Sequence, residues 1–201
     1  YFGIMHGINE WLHMFSIVQI KEGYSSHESY ALSVMRFRLL STSYLFLFEF
    51  GRKLLLLSFN KKVFGEWITV FFCACTLVPA FVIKEDWSIW SSYFLGLPGG
   101  ILSAFGFIWY YHRNKAALTQ INIRRYFIIA AVSIGIYGIL GGVIVPKSDF
   151  FPASVINTEA FLNLFGIPAQ VFRAVCAIIL AWAIWNILGI FNWELRQKLT
   201  T

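Results

Sequence analysis

Long apolar runs of about 18–25 residues alternate with short charged clusters along this chain, and the alternation predicts six bilayer-spanning helices. The expected spans are approximately 2–20, 31–50, 66–83, 89–111, 126–145 and 166–190. KEGYSSHESY separates the first two, and KEDW closes the third. Gly-Leu-Pro-Gly-Gly at 96–100 predicts a kink or irregular turn in the fourth. Gly96 with Gly100, and Gly138 with Gly142, are small-xxx-small pairs that predict close helix packing. PKSDFFPASVINTEAFLNLFGIP is too aromatic and too poor in charge for an ordinary solvated loop. It predicts a short interfacial helix starting near Asn157, a good N-cap, with Glu159 in its first turn. The expected fold class is all-α, a polytopic transmembrane bundle over 1–190. Residues 191–201 continue as a polar helix, either a signalling helix or a plain juxtamembrane anchor.

Composition agrees with the pattern. Hydrophobic residues make up 58% of the chain and charged residues 13%, at a mean hydropathy of +0.67. A soluble domain needs about 25% charge to cover its surface. Cys73, Cys75 and Cys176 all fall inside apolar runs, which argues for packing residues rather than a disulfide framework or zinc site. The net charge of +6 follows topology and is no nucleic-acid signal. Arg52, Lys53, Lys61 and Lys62 follow the second span, Arg113, Lys115, Arg124 and Arg125 follow the fourth, and Arg196 and Lys198 follow the sixth. The positive-inside rule puts these segments, and both termini, in the cytoplasm. Arg36 and Arg38 depart from the rule, since they fall on the opposite side.

The candidate chemistry sits in the first span. His6, Glu10 and His13, at spacings of four and three, share one helix face with Asn9 beside them. Ionisable groups at bilayer depth are costly and usually face a bundle interior. Two imidazoles and a carboxylate suit zinc, copper or iron, so His6, Glu10 and His13 form a candidate metal set. The same stripe suits a haem, provided a partner helix supplies the second ligand, although His27 and His112 lie in expected connections. It also suits hydrogen bonding to a small or amphiphilic ligand such as a quinone or lipid, or a polar network that only stitches helices together. The identity of any cofactor stays open. Arg36, Arg38, Arg173 and His13 fall toward one half of the membrane, where they would form a pocket for an anionic head group or carboxylate. Snorkelling of the long side chains is the competing account. Glu49, one turn from Arg52 and Lys53, predicts a local ion pair.

FGIMHGINEWLHMF resembles the HG-x-x-EW segment in the N-terminal membrane regions of bacterial sensor proteins. LFLFEFGRKLL resembles a second segment of those regions, and FFPASVINTEAFLNLFGIPAQVFRAVCAIILAW, running into FNWELRQ, resembles the last. The resemblance covers about a third of the chain in the family's order, and none of the three segments is a catalytic signature. In that family the membrane module precedes PAS domains and a histidine kinase or diguanylate cyclase output. The resemblance therefore implies a sensory input module of the bacterial inner membrane that is not itself an enzyme. It implies a further span before Tyr1, an output domain after Thr201 and a homodimer through the full-length parent. The implied partners are the bilayer and a small or lipid-like ligand. A small integral-membrane subunit or transporter-like protein, with a metal, haem or quinone on the stripe, is the alternative. No internal repeat of the transporter kind is evident.

Overall fold

The computed structural model describes residues 1–22, 30–59, 65–83, 87–120 and 123–200, with the backbone alone for 79–83, 117, 119–120, 191 and 193–200. His27, Lys61, Lys62 and residues 84–86 lie outside them. The described residues are almost entirely helical. α1 spans Phe2–Lys21, α2 Tyr30–Ser58, α3 Glu66–Ile83, α4 Trp87–Ser91, α5 Leu97–Arg113, α6 Lys115–Gln120, α7 Arg124–Gly142, α8 Thr158–Phe165 and α9 Ala169–Thr200. A π turn, Ser92–Gly96, joins α4 to α5, so Trp87–Arg113 is one continuous rod. Among the described residues, four helices are long and apolar enough to cross a membrane: Tyr30–Ser58, Trp87–Arg113, Arg124–Gly142 and Ala169–Ile190. α1 is not one of the four, because its polar stripe lowers its average apolarity.

The side-chain arrangement is that of a body with an apolar outside. Ile128, Val132, Ile136 and Ile139 form an exposed stripe along α7, and Ile178, Trp185 and Leu188 protrude from α9. Such continuous apolar exposure is rare on soluble monomers and is what a helix bundle presents to lipid. α1 shows the inversion most plainly. Ile4, Ile8, Trp11 and Phe15 are exposed, whereas His6, Asn9 and Ser16 are buried. The stripe therefore faces protein.

The bundle is held by close backbone approaches at glycine. α2 packs extensively on α5, α5 on α7, and α7 on α9, with α1 against α2. A Cβ on Gly100 would lie 2.5 Å from Gly138 Cα, so α5 and α7 meet backbone to backbone there. Gly142 does the same against Leu97, whose Cα would lie 2.6 Å from an added Cβ. Gly96 instead makes room for the Tyr44 ring. Ser103 Oγ donates to Leu47 O (3.2 Å), and Ser41 and Ser91 hydroxyls bond across α2 and α4 at 2.6 Å. Phe48, Phe107, Phe127 and Ile134 fill the centre between these contacts.

Three local expectations need correction. The irregular turn lies at 92–96 instead of 96–100. Pro98, in the first turn of α5, brings no N–H to the Phe94 carbonyl, and the wide π turn just before it absorbs that mismatch. The second helix does not end near Phe50 but runs to Ser58. Glu49 neutralises Arg52 through two hydrogen bonds, of 2.9 and 2.7 Å, and Thr69 of α3 donates to the same carboxylate. A paired arginine can stay in the helix interior, so Arg52 and Lys53 belong to α2 and not to a connection. The last helix starts at Ala169, because Gly166 ends α8 with φ 69° and Pro168 restarts the chain. Asn157 does cap α8, accepting from Ala160 N at 2.9 Å.

Candidate functional site

The α1 stripe divides into two neighbouring features. The first is a polar core where α1, α2, α7 and α9 meet. Phe2, Tyr44 and Tyr137 surround the His6 ring, with centroid separations of 5.5, 5.2 and 5.8 Å. His6 Nδ1 is 3.1 Å from Ser43 Oγ, and Ser43 spends its single proton on Leu40 O at 2.7 Å. His6 Nδ1–H must therefore be the donor in the first contact. His6 Nε2 points to the Glu10 carboxylate, 3.5 Å away.

Glu10 is shared. Arg173 Nη2 donates to its Oε1 at 3.0 Å, joining residues 163 positions apart in sequence. The pair is the main bridge between α1 and α9, which have little other packing against each other. Tyr44 Oη donates to Gly141 O at 3.0 Å, satisfying a carbonyl in the last turn of α7 that has no partner within the helix. Arg173 lies beside the same turn, so its charge also complements the negative end of the α7 dipole. One side chain of α9 thus reads both α1 and α7.

The second feature is a cavity of about 450 Å³ at the end of the bundle where α2 and α4 begin and α7 ends. Asn9 and His13 reach it from α1, Ser33, Arg36 and Phe37 from α2, and Trp87 from α4. His13 lies one turn of α1 beyond Glu10, so the stripe is continuous from the core into the cavity wall.

The sequence places the right residues on α1 but merges two sites into one. Of Arg36, Arg38, Arg173 and His13, the cavity brings together Arg36 and His13 but not the other two. Arg173 is taken up by Glu10, and Arg38 is exposed, because positions two apart on a helix point about 200° away from each other. Nor do His6, Glu10 and His13 converge as metal ligands: no group of three His, Cys, Asp or Glu side chains able to hold an ion occurs among the described residues. His6 Nδ1 is engaged by Ser43, and His6 Nε2 faces the Glu10 carboxylate at 3.5 Å without a hydrogen bond. His112 is exposed in the last turn of α5.

Sequence reasoning missed Ser43, Tyr44 and Tyr137 altogether. The signal for Glu10–Arg173 was present, since an acid and a base expected at bilayer depth usually pair with one another. Comparison of the chain with protein-family models, with curated proteins and with solved structures returned no match.

Proposed function

We propose that this chain is a membrane-embedded sensory input module, in which occupancy of the Asn9–Arg36 cavity biases the position of α9. In this reading α1 and α3 cross the bilayer with the four strongly apolar helices. That gives six spans with both termini in the cytoplasm of a bacterial inner membrane, the cavity opening toward the opposite leaflet, and α8 lying at that interface. The observation that carries the reading is the Glu10–Arg173 ion pair. It ties the helix that walls the cavity to a helix that runs 32 residues without a break, long enough to leave the bilayer as a rigid rod. The resemblance of three segments to bacterial sensor regions supports the same reading.

A ligand moves such an equilibrium only by binding one arrangement better than the other. Coupling of about 1–3 kcal/mol changes the balance of two arrangements by roughly 5- to 150-fold. A chimera in which a histidine-kinase output domain follows Thr201 provides the test. Arg173→Ala and Glu10→Gln should each shift its basal output several-fold and in the same direction, because both sever the same link. Ile187→Ala, which removes buried α9 packing away from the pair, should not reproduce that shift. Equal outputs for all three variants and the parent would rule the reading out.

A further inference from the structure

The walls of the cavity specify the chemistry of what enters it. Arg36 and His13 line it, and no acidic side chain lies among its described lining residues. Asn9, from the same wall, is only 4% exposed, and its Oδ1 has no hydrogen-bond partner. A buried carbonyl left unpaired is costly, and the cost is recovered when a donor arrives. The nearby Ser33 hydroxyl cannot be that donor, because its proton is given to Tyr30 O at 2.9 Å. Opposite these polar groups, Phe37 and Trp87 meet edge to face at 5.5 Å and form an aromatic wall. The volume of about 450 Å³ falls in the range of small-molecule sites.

We infer that the Asn9–Arg36 cavity binds an amphipathic organic anion that carries a hydroxyl or amino donor next to its acidic group. The acid faces Arg36 and His13, the donor satisfies Asn9 Oδ1, and the apolar body lies on Phe37 and Trp87. Two sources offer this chemistry: a free hydroxy or amino acid with an apolar side chain, or a lipid head group with an anionic phosphate and hydroxyls. The inference rests on the sensory reading for its purpose but not for its test, since binding is measured without any output. Binding without a response in the chimera would sink the sensory reading alone.

The probe is 3-phenyllactate, titrated calorimetrically into the 201-residue chain in phosphatidylcholine nanodiscs. Two truncated analogues accompany it: 3-phenylpropionate lacks the hydroxyl, and 2-phenylethanol lacks the carboxylate. The parent acid should bind at least about tenfold more tightly than either, the usual scale for a lost partner at a buried polar group. Asn9→Leu should erase its advantage over 3-phenylpropionate, and Arg36→Gln its advantage over 2-phenylethanol. Weaker binding of the acid in phosphatidylglycerol nanodiscs would assign the site to a lipid head group, and undiminished binding would assign it to a free acid. Either result upholds the inferred chemistry. No binding of 3-phenyllactate, or equal affinity for all three compounds, overturns the inference without recourse to any variant.

Discussion

Arg173→Ala should destabilise the bundle by about 2–3 kcal/mol, below the ~3–5 kcal/mol typical of breaking a fully buried ion pair. The discount follows from geometry: the Arg173 side chain is 14% exposed but that of Glu10 keeps 30%. The loss comes less from the missing attraction than from what remains. The Glu10 carboxyl would be left in a half-buried place without the guanidinium, with His6 Nε2 3.5 Å away. Removing both charges should therefore cost less than removing one. The double variant Glu10→Gln/Arg173→Met should recover most of the stability lost by Arg173→Ala. Equilibrium unfolding in detergent micelles measures the difference, with Glu10→Gln and Arg173→Met as the single variants that close the double-mutant cycle. Additivity of the two single changes to within about 0.5 kcal/mol would mean that they do not interact, and Arg173 would be a snorkelling anchor.

Gly100→Ile should be the most damaging substitution in the bundle core, at about 3 kcal/mol, the upper end of overpacking costs. At most core positions an oversized side chain is accommodated by a neighbouring rotamer. Here the neighbour is backbone: Gly138 Cα would lie 2.5 Å from the new Cβ, and its N 3.2 Å. α5 and α7 would have to separate along their length, taking with them the Tyr44–Gly141 bond that steadies the polar core. Gly135→Ala is the matched control on α7, because its added Cβ would meet Ala104 Cβ at an ordinary 3.4 Å. Thermal unfolding should show a large loss for the first and little change for the second. Comparable losses would remove the close α5–α7 approach as the organising contact.

Much of this architecture was legible in the sequence, and what was not has a common cause. Apolar run length located six long helices among the described residues, and four of them meet the length and apolarity needed to cross a membrane. Local chemistry located α8, because an Asn followed by Glu159 is a capping signal that needs no tertiary context. The spacing of His6, Asn9, Glu10 and His13 found a face that does turn inward, at least at His6 and Asn9. Failures arose where a residue's role depends on its partner. Arg52 read as the start of a connection, yet Glu49 and the α3 hydroxyl of Thr69 let α2 continue past it. Arg36 and Arg173 read as one basic pocket because the expected topology puts both in the same half of the membrane. Only the rotation of α9 about its axis, set by contact with α7, aims Arg173 at Glu10. Tyr44 and Tyr137 carried no signal at all, since aromatics within an apolar run look like packing until a histidine is found between them.

The link from the cavity to α9 is best tested by the distance between α1 and α9 themselves. Spin labels at positions 17 and 178, both exposed, would report it by pulsed electron resonance once Cys73, Cys75 and Cys176 are replaced by alanine. Saturating 3-phenyllactate should shift the distance distribution by about 1–2 Å, the usual scale of helix movements in such switches, and Arg173→Ala should abolish the shift. A distribution unmoved by bound ligand, or a shift that survives Arg173→Ala, would contradict a mechanism in which the Glu10–Arg173 pair carries the signal.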